Sequence, residues 1–411
     1  WAAGPVDPPS MLAVDPPVHG RYRRLVTRWF TAREVRGLED RIAETAVGLL
    51  DRLGNPGERV DLVERYASLL PVAVIAEILG VPDHMHAQLL EWGNGAAITL
   101  DPALTWSQYR GADVHVRALH RWLEGHLEAK RRDPGDDLLS ALATQTEEDL
   151  SPLELRGIAL LVLGAGFETT VNLLGNAVTL VETHPEIRDA VRDAATSPAG
   201  DTGGTDLWAG IVEETLRYDS PVQLTFRSAL RDTEVLGRPV GRGTGVLTYL
   251  GGANRDPEVF EDPQTFDPLR SDAGRHLAFS SGVHYCLGAG LARLEAHEEQ
   301  LGRVLAVGQL DRLLADREHL DDHPLVLGIP RQGHGAGAEL LLDRQLERLV
   351  VGEPERRHRR YDALGPPVGD HLVEELVDAL RERDDLLLLQ DRKSTRLNSS
   401  HTDISRMPSS A

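Results

Sequence analysis

Cysteine and lysine are almost absent from this chain of 411 residues, which has one cysteine, Cys286, and two lysines, Lys130 and Lys393. A single cysteine excludes an intrachain disulfide framework and a zinc site built from several cysteines. Cys286 is therefore a small apolar core residue, a nucleophile or a metal ligand. The sequence around it has to decide among these three.

Positive charge is also scarce, because 44 lysines and arginines face 65 acidic residues and give a net charge of −21. Nucleic acids and anionic membranes bind basic surfaces, so we expect neither as a partner. The most apolar run, from Ile158 to Phe167, is shorter than the roughly 20 residues that cross a bilayer. The 41% hydrophobic and 27% charged residues are typical of a soluble globular protein.

Helical patterns dominate the chain. Ser151, followed by Pro152 and by Glu154, predicts the capped start of a long helix that reaches about Thr183. Between about 222 and 250 the texture changes to short alternating runs with glycines, which are typical of small hairpins. The predicted fold class is mainly α with minor β.

Cys286 lies in the segment Phe279-Ser-Ser-Gly282-Val-His284-Tyr-Cys286-Leu-Gly288. Its glycines allow tight turns and a close approach of the backbone to a flat ligand. A helix predicted to begin near Leu287 would place its positive end beside a thiolate. The segment therefore suits a thiolate metal ligand, and the alternative is a cysteine buried in a glycine-rich turn.

This segment resembles the haem-binding loop of the cytochrome P450 family. The resemblance implies that Cys286 is the axial ligand of haem b (iron protoporphyrin IX). It also implies that Phe279 covers the thiolate side of the haem and that His284 and Gly288 belong to the same site.

Two further segments are similar to a structural brace of that family. Glu214-Thr-Leu-Arg217 resembles its Glu-x-x-Arg pair, and Arg270 resembles the arginine that completes the brace behind the haem. Taken alone, a glutamate and an arginine three residues apart form an ordinary surface pair on a helix.

The long helix contains Ala165-Gly166-Phe167-Glu168-Thr169, an acid and an alcohol inside an apolar stretch. The resemblance implies that Gly166 narrows the helix beside O₂, that Thr169 donates a hydrogen bond to the dioxygen, and that Glu168 relays protons. From the residues alone, an outward-facing polar patch explains the pattern equally well.

His19 and Arg23 stand four residues apart and share one helical face. The segment resembles the family helix whose histidine and arginine hold the haem propionates. Arg227 and His284 match two further propionate contacts. The alternative for His19 and Arg23 is an ordinary basic helix.

Together these resemblances imply a cytoplasmic, monomeric, soluble P450 of bacterial type. Its expected activity is that of a haem-thiolate monooxygenase, which inserts one oxygen atom of O₂ into a small hydrophobic organic substrate. Because the chain has no flavin or iron–sulfur motif, electrons are expected from a separate ferredoxin or flavodoxin. The rival interpretations are a peroxide-driven enzyme or isomerase, a haem-binding protein without catalysis, and an inactive P450 fragment.

The resemblance covers one partial haem-thiolate domain, residues 1–296. The family's upstream helices, most of its larger sheet and its last strands are not recognisable, so we expect an N-terminally truncated chain. Residues 297–390 are unassigned, and a changed reading frame is our hypothesis for them. Residues 391–411 resemble a translated sequencing-library adapter, with a disordered tail as the alternative.

Overall fold

The computed structural model describes residues 10–53, 60–100, 105–145, 150–196 and 202–296. Its α-helices are α1 Val18–Thr27, α2 Ala32–Gly37, α3 Glu39–Leu50, α4 Leu69–Leu79, α5 His86–Ala97, α6 Trp106–Arg132, α7 Leu138–Thr144, α8 Pro152–Thr183, α9 Pro185–Thr196, α10 Thr202–Tyr218, α11 Leu250–Ala253 and α12 Ala289–Glu295. The strands are β1 Leu224–Ser228, β2 Thr233–Val235, β3 Arg238–Val240 and β4 Gly245–Tyr249. The prediction of a mainly α fold with minor β is confirmed, whereas the predictions for 297–390 and 391–411 lie outside the described residues.

Helix α8 forms the centre of the core and packs against α4, α5, α6 and α10. It begins as the sequence predicts. The Ser151 hydroxyl accepts a hydrogen bond from the Glu154 N–H, and the Glu154 carboxylate accepts one from the Ser151 N–H. Two otherwise unpaired donors of the first turn are thereby satisfied, and Pro152 loses nothing there because its position needs no donor.

The same helix is long and apolar enough to cross a membrane, although its longest unbroken apolar run is short. Within the fold, 72% of its most apolar stretch is buried by other parts of the protein. This amount of burial is what the central helix of a helical core requires, because such a helix is apolar on all sides.

The strands form two antiparallel pairs. β1 pairs with β4, which sets Arg227 opposite Val246, and β2 pairs with β3. The β2–β3 turn contains Leu236 and Gly237, with positive φ values of 51° and 79°. Two successive residues of this kind form the two-residue turn that matches strand twist. The β1–β4 pair fixes the position of Arg227 relative to the rest of the candidate site.

Candidate functional site

The segment that carries Cys286 folds back on itself before α12 begins. The Cys286 N–H donates to the Phe279 carbonyl at 2.9 Å, and the Tyr285 N–H donates to the Gly282 carbonyl at 3.1 Å. Ser280 and Gly282 have φ values of 59° and 69°. This region of backbone conformation costs a non-glycine residue free energy. Strain at Ser280 is typical of a loop shaped for function rather than for stability alone.

The side chain of Cys286 is exposed. Desolvation by the protein around it nevertheless raises the pKa of the thiol, and this outweighs the Gly288 N–H, Arg23 and Arg293, which lower it. The prediction that a helix end favours the thiolate is therefore met only in part, because α12 begins at Ala289, two residues later than predicted. A bound cation deprotonates a coordinating thiol outright, so the raised pKa does not oppose a ligand role.

Four predicted site residues from separate parts of the chain come together beside this loop. The imidazole rings of His19 in α1 and His284 have centroids 4.4 Å apart, and His284 Nε2 lies 3.5 Å from the Asp15 carboxylate. Arg23 and Arg227 are close enough to lower the pKa of His284 further, in addition to the larger effect of burial. The structure thus brings all four predicted propionate-binding residues into one cluster.

The cluster is short of negative charge. Burial, then His284 and Arg23, lower the pKa of His19 to about 4, and burial with Arg227 and Arg23 lowers that of His284 to about 4. Both imidazoles are therefore neutral at pH 7. A ligand carrying two carboxylates would supply the missing counter-charge, since it would pair with both guanidiniums and favour imidazolium.

Arg23 also has a role that the sequence does not predict. Its guanidinium donates to the carbonyl oxygens of Val283 and Tyr285, at 3.3 and 2.7 Å. It therefore ties α1 to the loop immediately before Cys286. Arg23 therefore contributes positive charge to the cluster and also holds the loop in position.

In α8, the predicted residues divide between two faces. Ala165 is exposed and Thr169 half-buried, and the Thr169 hydroxyl donates to the Ala165 carbonyl at 3.1 Å. Such a bond back to the preceding turn tends to bend a helix. Glu168 is 2% exposed, so the alternative of an outward-facing polar patch does not apply to it.

Gly166 lies close to helix α4. A Cβ at this position would lie 2.7 Å from Cγ1 of Ile75 in α4. The missing side chain therefore allows α8 and α4 to pack closely. The structure assigns the open face of this turn to Ala165 and Thr169, and Gly166 narrows the helix on the side of α4.

The predicted brace is buried and fully formed. Arg217 and Glu214 in α10 have no exposed side-chain surface and make a bidentate pair, with both N–O distances 2.7 Å. Arg270 donates to Glu214 at 2.9 Å. The two arginines also donate to backbone carbonyl oxygens, those of Asn254, Glu261, Asp262, Pro263 and Thr265. The alternative of a surface pair is therefore excluded for Glu214 and Arg217.

Sequence reasoning missed several polar residues near the loop. Glu213 receives hydrogen bonds from Arg293 and contacts His276, and Glu295 is fully buried. The adjacent acids Glu213 and Glu214 are an available signal. Neighbouring residues on a helix point about 100° apart, so the buried Glu214 and the half-buried Glu213 each need a cation of their own. Glu295 gives no such signal, because it stands alone at the end of α12.

Burial raises the pKa of Glu295 to about 8, and a hydrogen bond with Thr170 opposes this only in part. The folded protein thus keeps a proton that the unfolded chain releases above pH 4.5. Stability should fall as pH rises from 4.5 to 8. The slope is at most about 1.4 kcal/mol per pH unit. Glu295→Gln should remove this dependence.

Urea unfolding of both proteins at pH 6, 7 and 8 measures it, and we expect the advantage of Glu295→Gln to grow with pH. The lowered pKa values of His19 and His284 are shared by both proteins, so their effect cancels in the difference. They affect stability only below about pH 6.5. A constant difference between the two proteins would mean that Glu295 is ionised in the fold.

The residues present fit a haem. An exposed thiol stands beside Gly288, where a Cβ would meet nothing within 4 Å, so a flat group can approach the backbone. The cluster of His19, Arg23, Arg227 and His284 suits two propionates. A thiolate with cationic carboxylate partners is the donor set that a thiolate-ligated haem requires.

Comparison with known proteins places the chain in a family. The model of the family Cytochrome P450 matches residues 112–298. Cytochrome P450 140 of Mycobacterium tuberculosis is 50% identical over 296 residues, and the match covers 71% of this chain and 65% of the length of that relative. The 6-deoxyerythronolide B hydroxylase of Saccharopolyspora erythraea is 38% identical, with 70% of this chain and 67% of that protein covered.

Solved structures agree with the sequence matches. The crystal structure of CYP164A2 from Mycobacterium smegmatis superposes with a TM-score of 0.67 at 35% identity, and the match covers 73% of this chain and 75% of that one. Identity at this level over most of a solved member shows common ancestry as well as a common fold. The chain therefore belongs to the cytochrome P450 family.

Proposed function

We propose that this chain is a haem-thiolate monooxygenase that inserts one oxygen atom of O₂ into a small hydrophobic organic substrate. One observation carries the proposal: cations from distant parts of the chain gather at the loop that ends in its only cysteine. His19 contacts the His284 ring, and Arg23 binds the carbonyls of Val283 and Tyr285. A structural role for this loop alone would not require two arginines and two partly buried imidazoles beside it.

The cofactor of this family is a haem iron, and we propose haem b. Cys286 Sγ would be its axial ligand, with Phe279 and Gly288 beside the thiolate. His19, Arg23, Arg227 and His284 would hold the propionates. When bound, a thiolate-ligated haem iron would supply the chemistry of O–O cleavage, because the Cys286 thiolate would push electron density towards the iron.

Helix α8 supplies the groups on the oxygen side. The Thr169 hydroxyl donates to the Ala165 carbonyl, and its rotation allows it to exchange this bond for one to a ligand, as donor or acceptor. Glu168 holds a carboxylate one residue away in a buried position, where it can pass a proton on without exposing the site to bulk water. We propose Thr169 and Glu168 as the proton-delivering residues.

The substrate class follows from the relatives and from α8. One relative is named as the hydroxylase of 6-deoxyerythronolide B. The open turn of α8 carries the exposed Ala165 and the half-buried Thr169, whose methyl groups favour an apolar ligand. We therefore propose a hydrophobic organic molecule as the substrate.

Electrons would come from a separate ferredoxin or flavodoxin, with the chain acting as a cytoplasmic monomer. Of the arginines on α1, Arg21 is engaged inside the protein, since it donates to Glu154 at 2.5 Å. Arg28 lies over the Trp29 ring, 5.2 Å from its centroid. We therefore propose that an acidic partner docks on the surface around Arg24 in α1 and Arg28 just after it, rather than at Arg21.

The absorption spectrum of the reduced, CO-bound protein tests the proposal. The full chain, expressed with a haem supply and purified, should take up haem and give the red-shifted Soret band of a thiolate ligand. Haem uptake with a band of the thiol or imidazole type would overturn the thiolate assignment. Absence of specific haem binding would overturn the proposal as a whole.

Thr169→Ala should keep the CO spectrum and lose coupling. Without the hydroxyl, proton delivery is no longer directed by Thr169, and the two electrons and two protons reduce O₂ to hydrogen peroxide instead of forming product. We expect product per electron pair to fall about tenfold. Product and peroxide are measured together against NAD(P)H consumption, with a surrogate reductase and ferredoxin and a substrate found by spectral screening.

Thr183→Ala is the matched control, because its hydroxyl makes the same bond to the turn before it in the same helix, to Thr179 at 2.8 Å. It should couple as the unmodified protein does. Equal coupling in Thr169→Ala and Thr183→Ala would remove Thr169 from the proton path.

A further inference from the structure

A second polar cluster lies beside the Cys286 loop and is separate from the Glu214 brace. Glu213, the neighbour of Glu214 in α10, receives two hydrogen bonds from Arg293 in α12: Nε donates to Oε1, and Nη2 donates to Oε2 at 3.0 Å. His276 Nε2 lies 3.2 Å from the same Oε2. Three elements that are distant in the sequence thus meet at one carboxylate.

The hydrogen bonds fix the ring of His276. Its Nδ1 accepts from the Ala278 N–H at 3.1 Å, and its Nε2 faces Glu213. In the neutral ring the proton is therefore on Nε2 and is donated to Glu213. His276 thus connects Glu213 to the backbone of Ala278, immediately before the loop begins at Phe279. Burial alone would raise the pKa of Glu213, but the bonds from His276 and Arg293 lower it to about 2, so the carboxylate stays ionised.

Arg293 holds the loop at a second point. Its guanidinium carbon is 4.7 Å from the centre of the Phe279 ring, in the geometry of a cation–π contact. The Phe279 carbonyl in turn accepts the Cys286 N–H. A continuous chain of contacts runs from Glu213 through Arg293 and Phe279 to Cys286.

We propose that Glu213, Arg293 and His276 are positioning residues that hold the Cys286 sulfur in place as an iron ligand and set the electrostatic potential at that sulfur. This inference rests on the proposed haem-thiolate function. Arg293 reaches the sulfur through Phe279, because its guanidinium lies over the Phe279 ring and the Phe279 carbonyl accepts the Cys286 N–H. Glu213 neutralises the charge of Arg293, so removal of either residue changes the net charge close to the Cys286 loop.

The proposal predicts opposite effects from the two halves of one ion pair. Glu213→Gln leaves the guanidinium unbalanced, which favours the reduced, more negative haem and raises the reduction potential. Arg293→Gln leaves the carboxylate unbalanced and lowers the potential. A purely structural brace would shift both variants in the same direction, because each would loosen the loop equally.

The potentials of the haem-loaded full chain and its variants are measured by redox titration, together with the reduced CO spectra. Arg293→Lys keeps the charge but lacks the planar fork, so its potential should stay near that of the unmodified protein. In haem-free protein, the Cys286 amide should exchange its hydrogen about tenfold faster in Arg293→Gln. Arg156→Gln is the control, since it breaks a pair of similar length, 2.9 Å to Glu124, far from the loop in sequence.

Opposite shifts in Glu213→Gln and Arg293→Gln, with neither effect in Arg156→Gln, would support the proposal. Unshifted potentials, or shifts of the same sign, in a protein that shows the thiolate band would overturn this inference alone. Absence of the thiolate band from the unmodified protein would overturn the proposed function and this inference with it. If one variant fails to fold, Arg293→Lys decides: a shift in its potential as large as that of the surviving variant would overturn the proposal, because Arg293→Lys keeps the charge and loses only the planar fork.

Discussion

Cys286→Ser is expected to abolish the thiolate-type Soret band of the reduced, CO-bound protein completely. A serine hydroxyl is not deprotonated at neutral pH and is a poor ligand for iron, whereas a coordinated thiol loses its proton. The chain has no second cysteine that could replace it. The variant is measured by the same spectrum, with total haem determined separately so that loss of the ligand is distinguished from loss of haem.

Ser281→Ala is a suitable control, because Ser281 lies in the same loop and its side chain caps no helix. It should keep the band. The neighbouring His284 is the obvious substitute ligand in Cys286→Ser, and ligation through it would give the band of a nitrogen ligand. A thiolate-type band that survives in Cys286→Ser would disprove the assignment.

The elements that follow from local signals can be predicted from the sequence. Helix α8 begins at Pro152 and ends at Thr183 as predicted, because its cap consists of Ser151 and Glu154, which are neighbours in the chain. The predicted start of α12 is two residues too early, since Gly288 adopts a cap conformation that the sequence does not specify. The sequence locates the hairpins between 222 and 250 as a region, but their register depends on pairing between strands.

The candidate site also contains contacts that could be predicted from the sequence and contacts that could not. The resemblance predicts the gathering of His19 and His284, and the structure brings their rings together. The contact between Arg23 and the Tyr285 carbonyl could not be predicted, because it joins residues 262 positions apart through a backbone atom that every residue has. The role of Gly166 could not be predicted either. Only the packing of α4 against α8 shows that a side chain at this position would meet Ile75.

A sequence alone does not show which charged residues pair across long separations. Glu213 and Glu214 each find an arginine, but one finds it 80 positions away in Arg293 and the other at three and 56 positions, in Arg217 and Arg270. The short separation can be read from the sequence, and the others need the fold. The brace could nevertheless be predicted in full, including Arg270, because it resembles a family motif, whereas no such motif marks the Glu213 cluster.

Glu214→Gln is expected to destabilise the folded protein strongly while leaving its backbone unstrained. Removing one partner of a fully buried ion pair leaves an uncompensated charge, at a cost of about 3–5 kcal/mol. Here two cations, Arg217 and Arg270, lose their shared anion. A typical domain has only about 5–15 kcal/mol of stability in total, so a large part of it would be lost.

Urea or thermal unfolding of the haem-free chain measures the effect directly, and haem retention gives a second readout because the brace organises the carbonyls of residues 254–265. Glu128→Gln is the control, since its pair with Arg131 is exposed and has a similar N–O distance, 3.2 Å. An exposed pair contributes little, so this variant should unfold like the unmodified protein. Equal stability of Glu214→Gln and Glu128→Gln would mean that the carbonyl acceptors alone hold the two arginines. We expect the opposite result, because carbonyl oxygens carry only partial charge and cannot neutralise two buried guanidiniums.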